Sequence, residues 1–150
     1  MNKYDMIFFE GLDRIGKTTV KKELERITNY KYIMFDRGHL SAICYEKLKN
    51  RGNDILYYET QLNKLRNNFR IMIIYLRINN IEVIKKRVKD EKEEILLFDE
   101  VEKLSKIYDK YIISIYNENE FYIRNVDNYL SVDKLKLLAK EIAEDLSLWV

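Results

Sequence analysis

Apolar residues follow two rhythms along this chain, and the rhythms alternate. Residues 4–9 are nearly continuously apolar through Met6-Ile7-Phe8-Phe9, which predicts a strand buried on both faces. Residues 17–28 switch to helical spacing, with Val20, Leu24 and Ile27 on one face. Residues 30–35 predict a second short strand that ends at Asp36-Arg37-Gly38. Ser41 is placed to cap a helix running to about Asn50, Gly52-Asn53-Asp54 predicts a turn, and residues 55–67 return as helix. Residues 69–76 predict the third strand. Helix resumes at Ile81, with Ile84 and Val88 on the same face and a Glu82–Lys86 pair on another. Residues 97–116 predict a long amphipathic helix through Val101, Leu104, Tyr108, Tyr111 and Ile112, whose tyrosines read as half-buried core. Residues 120–125 predict a fourth strand, and Ser131 caps a last helix that turns Leu135, Leu138, Ile142 and Leu146 inward.

Strands alternating with helices imply an α/β domain: three layers, with a small, mainly parallel sheet of about four strands between helices. No proline, repeat or linker divides residues 1–150, so one domain is expected. In such sheets ligands bind beyond the carboxyl ends of the strands. That rule brings Glu10-Gly11, Asp36-Arg37 and Asn125-Val126-Asp127 to one edge, although they are far apart in sequence.

The first of these groups opens Glu10-Gly11-Leu12-Asp13-Arg14-Ile15-Gly16-Lys17-Thr18-Thr19, which fits G-x-x-x-x-G-K-[ST] between a strand and a helix. Gly11 and Gly16 allow backbone angles that wrap successive N–H groups round one anion. The helix opening at Lys17 adds unsatisfied N–H donors and the positive end of its dipole. Lys17 is expected to reach the β- and γ-phosphates, and the Thr18 hydroxyl to ligate Mg²⁺. Gly11, Gly16, Lys17, Thr18 and Thr19 thus predict a nucleoside triphosphate site.

Composition narrows the setting. A net charge of +2 gives no broad basic field that calls for nucleic acid. The longest apolar run, 71–76, is too short to span a bilayer. One cysteine, Cys44, excludes an internal disulfide, and the N-terminus carries no signal-peptide pattern, so a cytoplasmic protein is expected. No [NT]-K-x-D-like guanine-reading motif occurs, which argues against a switch GTPase.

Asp36-Arg37 is the second constellation. An Asp at a strand end beside such a loop can hold Mg²⁺ through water or accept a proton, and an adjacent Arg offers a fork for a phosphate dianion. Here the chain resembles the thymidylate kinase family of nucleoside monophosphate kinases. Its loop is similar to the family's F-E-G-x-D-x-x-G-K-[ST]-T, with the uncommon carboxylate Asp13 inside. Asp36-Arg37-Gly38-His39-Leu40-Ser41, then Tyr45-Glu46, resembles D-R-[YH]-x-x-S…A-Y-Q, and Leu76-Arg77-Ile78 leading to Arg87 resembles the family's strand end and lid entry.

The resemblance implies a P-loop kinase fold and transfer of the ATP γ-phosphoryl, with Mg²⁺, to a nucleoside monophosphate: dTMP or a related pyrimidine nucleotide. It implies that Asp13 contacts the acceptor's 3′-hydroxyl and that Arg14 stabilises transition-state charge. Arg37 would clamp the acceptor phosphate, and Asp36 would orient the Mg²⁺ shell or the acceptor oxygen. Ser41 and Tyr45 would lie near the acceptor base. Arg87 would stack on the adenine, with Asn125 and Asp127 lining the other side. Homodimers are common in the family.

The chain also departs from the pattern. Only residues 20–35 separate the loop from Asp36-Arg37, without room for the family's T-R-E-P-like segment. Glu46 stands where the family has a base-reading Gln, and a carboxylate cannot donate to thymine O4. Two alternatives stay open: a kinase acting on a nucleoside or polynucleotide, and a non-catalytic ATP-binding regulator. The lone His39 is not needed for such chemistry, and Cys44 reads as a buried, inert thiol.

Overall fold

The computed structural model describes residues 2–50, 54–91 and 98–149. The expected turn at Gly52-Asn53, the helix start at Leu97 and the side chain of Val88 fall outside that description. Four strands, β1 (Met6–Glu10), β2 (Ile33–Asp36), β3 (Ile71–Arg77) and β4 (Phe121–Asn125), form one parallel sheet in the order β2-β1-β3-β4. Register runs through Met6 beside Ile33 and Ile71, and Ile73 beside Phe121. Six helices flank the sheet among the described residues: α1 (Lys17–Ile27), α2 (His39–Leu48), α3 (Ile55–Asn68), α4 (Ile81–Glu91), α5 (Val101–Ile115) and α6 (Val132–Asp145).

The apolar runs explain which strands are central. Residues 71–76 are all buried, and Ile7 and Phe9 are fully enclosed, so β1 and β3 need cover on both faces. α1 packs on α6, and α2 packs on α3 and α5, giving helical layers round the sheet. Tyr108 is wholly buried, stacked 5.8 Å from Tyr75, and Tyr111 is buried as well, so the α5 tyrosines go deeper than the half-buried positions their spacing suggested. No helix among the described residues is long and apolar enough to cross a membrane.

Several boundaries shift for local reasons. β2 begins at Ile33, not at residue 30, because Asn29 and Tyr30 take left-handed angles (φ 54° and 55°) to turn the chain out of α1. Gly38, not Ser41, occupies the N-cap of α2; the helix has already started at His39, and Ser41 points inward. A 3-10 turn, Phe98–Glu100, precedes α5. Glu82 meets Lys85 at 3.5 Å, a three-residue pairing in place of the expected one with Lys86. Ser131 does cap α6, its hydroxyl accepting from the Lys134 N–H at 3.2 Å.

The end of β4 is tied to the entry of α4. The Asp127 carboxylate accepts from the N–H groups of Asn79 (3.0 Å) and Asn80 (2.9 Å), and its own N–H donates to Asn125 Oδ1 at 2.8 Å. These bonds satisfy donors that a helix start otherwise leaves open. Asp127→Ala is expected to lower stability by about 0.5–2 kcal/mol in urea denaturation; an unchanged midpoint would mean that the tie contributes nothing.

Candidate nucleotide-binding site

At the carboxyl edge of β1 the chain turns through Gly11 at φ +138°. A β-carbon there would sit 2.3 Å from the Leu76 carbonyl oxygen, so only glycine lets the loop pass this close to β3. Gly16, at φ +106°, forms the N-cap of α1, and a β-carbon on it would come within 2.7 Å of the Leu135 side chain. Between these glycines the loop folds over Lys17, the first residue of α1 and only 4% exposed. Its ammonium donates to the carbonyls of Gly11 (2.9 Å) and Leu12 (2.6 Å). Burial pulls its pKa down to about 8, against the opposing pull of the Asp36 and Glu10 carboxylates. Two neutral carbonyls only partly replace the solvation of that charge, so an anion brought to the loop gains a strong partner.

The end of β2 lies beside this loop. The Thr18 hydroxyl donates to Asp36 Oδ2 at 2.8 Å. Arg37 takes a left-handed φ of 74°, held there by its N–H donating to the Phe9 carbonyl at 2.8 Å. Its guanidinium pairs with Asp13 and lies 5.6 Å from the centre of the Tyr45 ring, while the Tyr45 hydroxyl donates to Asp13 at 3.1 Å. From α4, Arg87 donates to the Arg14 carbonyl at 2.6 Å.

These groups enclose a cavity of about 400 Å³ whose walls include Asp13, Arg14, Gly16, Lys17, Thr18, Thr19, Asp36, Arg37 and Arg87. Four cationic side chains against two carboxylates make it a place for an anion. Its apolar side is Leu130, Val132 and Leu135. A magnesium ion fits the donor set: the adjacent Thr18 hydroxyl and Asp36 carboxylate are hard oxygen ligands at a helix N-terminus. Mg²⁺ takes few protein ligands and completes its shell with water and phosphate oxygens. Among the described residues, no group of three or more His, Cys, Asp or Glu side chains is placed to hold a metal by itself.

Not every expected residue reaches the cavity. Asn125 and Asp127 bond to each other, Asp127 also to the N–H groups just before α4, and neither is on the cavity wall, where Leu130 and Val132, a few residues on, are found. Ser41 is withdrawn too. It is buried, its hydroxyl donating to the Glu10 carboxylate and lying 2.7 Å from the Tyr108 hydroxyl. Tyr45 is not on the cavity wall, but it touches Asp13 and Arg37, which are. Glu46 is buried, and Arg77 is held by Asp109 at 3.0 Å. His39 lies 6.2 Å from the Tyr58 ring, away from the cavity walls, and Cys44 is wholly buried, which pushes its thiol pKa up.

Glu10 is the residue that motif reading left without a role. Its fully buried carboxylate accepts from the Gly38 N–H at 2.6 Å and from Ser41, joining the phosphate loop to the start of α2. The available signal was a carboxylate closing an otherwise apolar buried strand. Burial raises its pKa to about 7, against Ser41, Gly38, Lys17 and Arg37, which favour the charged form. Tyr108 is likewise pushed up by burial, with the Glu10 charge adding to it. A scan against models of known families and a search of curated proteins give no match for this chain.

The sign of the pH effect follows. A carboxyl whose pKa is raised on folding favours the native state below its unfolded value and loses that contribution as pH rises through about 7. Between pH 4.5 and 7, wild-type stability is expected to fall relative to Glu10→Gln by on the order of 3 kcal/mol. Urea denaturation of both proteins at several pH values measures the difference; parallel curves would contradict the burial of an ionisable Glu10.

Proposed function

We propose that the protein is an ATP-dependent nucleoside monophosphate kinase of the thymidylate kinase type. The observation that carries the reading is the meeting, round one cavity, of Lys17 under a glycine-bounded loop, the Thr18–Asp36 pair and the Arg37 fork. Triphosphate oxygens would replace the Gly11 and Leu12 carbonyls as partners of the Lys17 ammonium, with the first N–H groups of α1 beneath them. Thr18 and Asp36 would hold Mg²⁺, which when bound would neutralise charge on the phosphates. Leu130, Val132 and the Arg87 guanidinium offer the donor base an apolar wall and a planar cation.

On the acceptor side, Arg37 binds the phosphate dianion in exchange for Asp13, and released Asp13 is free to accept from a sugar hydroxyl. Arg14 is on the cavity wall where charge accumulates on the transferring group. Phosphoryl transfer needs positioning and charge stabilisation more than a nucleophilic side chain, and this site is furnished for that. The single buried cysteine agrees with a reducing, cytoplasmic setting.

A second reading, a P-loop kinase acting on a nucleoside or polynucleotide, gains support from the burial of Ser41, which removes one of the two expected base contacts. Coupled ADP release with ATP and Mg²⁺ against dNMPs, NMPs, nucleosides and a short oligonucleotide separates them. A dTMP preference supports the first reading, and turnover confined to nucleosides or the oligonucleotide supports the second. ATP binding without turnover on any acceptor would overturn both in favour of a regulator.

Two substitutions localise the roles. Lys17→Ala is expected to lower kcat about 10²–10³-fold or more; near-normal turnover would remove the loop from the mechanism. Arg37→Ala is expected to raise the acceptor KM while ATP affinity holds, and a loss of ATP affinity instead would move Arg37 to the donor side.

A further inference from the structure

We infer that Glu10 is a proton-linked partner of the anion site: when an anion settles on Lys17 and Arg37, the buried Glu10 carboxylate takes up a proton from solvent. The inference rests on the nucleotide-site reading above and adds to it a regulation by pH. Glu10 is 1% exposed and closes β1, one residue before Gly11, whose carbonyl holds the Lys17 ammonium at 2.9 Å. Its Oε1 accepts from the Gly38 N–H at 2.6 Å, one residue after Arg37. The carboxylate thus lies beside two of the cavity's cations, each of which acts on it by charge. No step of the proposed transfer uses it.

Opposing forces hold this group near balance. Burial against Phe8, Leu40 and Leu62 favours the neutral carboxyl, while the Ser41 and Gly38 donors and the Lys17 and Arg37 charges favour the ionised one. The hydroxyl chain is complete only for the ionised form: Tyr108 donates to Ser41, and Ser41 to Glu10. A proton on Glu10 would set three hydroxyl hydrogens against two contacts and leave one over. The remaining titratable neighbours supply no charge that replaces Lys17 and Arg37. Cys44 of α2 is kept a thiol by burial, Tyr75, beside Glu10 in register on β3, donates to Asp109 at 2.6 Å, and Asp36 faces Lys17 and Thr18. His39, which shares with Glu10 a cavity of about 10 Å³, is held below the usual histidine range by burial and is neutral at pH 7. A phosphate group on Lys17 and Arg37 offsets the two charges that favour ionised Glu10 and adds like charge of its own, so the balance tips to the neutral form. ATP keeps a net negative charge with Mg²⁺ bound, so the sign holds. By reciprocity the anion binds more tightly as pH falls: a carboxyl midpoint raised by about one pH unit corresponds to about tenfold tighter binding to the protonated form.

Carbon-13 NMR of the full chain labelled at the glutamate side-chain carboxyls, with Glu10→Gln to assign the signal, follows this proton directly. In the free protein Glu10 is expected to titrate near pH 7, apart from the exposed glutamates. Saturation with ATP and Mg²⁺, verified by calorimetry, is expected to move that midpoint upward by about one pH unit. His39→Gln is expected to leave the midpoint and its rise in place; a rise lost with the imidazole would assign the proton to His39 and overturn the proposal. ATP that binds while the Glu10 midpoint stays or moves down would overturn the linkage and leave the nucleotide site standing. Calorimetry that finds no ATP binding would overturn the nucleotide reading, and the linkage with it.

Discussion

An ammonium group buried under a loop is the constraint on which the rest of the site depends. Lys17 stands at the first position of α1, where the helix already concentrates positive potential, and burial adds to the cost of its charge. The Gly11 and Leu12 carbonyls reduce that cost, and they can do so only because the chain bends through two left-handed glycines. Those glycines are in turn fixed by local constraints: the Leu76 carbonyl leaves no room beside Gly11, and Gly16 takes a positive φ of 106° with the Leu135 side chain packed against it. Sheet, loop and last helix thus constrain one charge. A cation held this way is poised for an anion that can replace two carbonyl dipoles with a full opposite charge.

The parallel sheet supplies everything else at the same edge. β1 ends in the loop, β2 ends in Asp36 and Arg37, and the chain after β4 returns as Leu130 and Val132. Below the surface, Glu10 ties the first two of these together through Gly38 and Ser41, so the phosphate loop and the Arg37 turn are parts of one hydrogen-bonded unit. Asp13 and Tyr45 occupy the Arg37 guanidinium from the other side. Lys17 and Arg37 are thus both held by the protein's own oxygens, which the proposed phosphate groups would replace.

Much of this was legible in the sequence, because the signals are local. The apolar runs and helical spacing give the order of strands and helices, and the glycine spacing beside Lys17 and Thr18 marks the loop. The misses share one cause, a tertiary partner that local rules do not see. Ser41 looks like a helix cap until the buried Glu10 carboxylate takes its hydroxyl. Asp127 belongs to the expected strand end, but main-chain donors at Asn79 and Asn80, 47 or 48 residues away, claim it. Leu130 and Val132 carry no mark that separates a cavity wall from ordinary core, and Glu10 shows its importance only through the groups packed round it.

The most direct test is to follow Lys17 itself by NMR, with isotope-labelled lysine and a Lys17→Arg variant to assign its signal. In the free protein the ammonium is predicted to titrate near pH 8, apart from the exposed lysines. Adding ATP with Mg²⁺ is predicted to move that titration upward, as the carbonyls give way to phosphate oxygens. A Lys17 signal that keeps the same midpoint at saturating ATP would contradict the account, since the loop would then hold its lysine for structure alone.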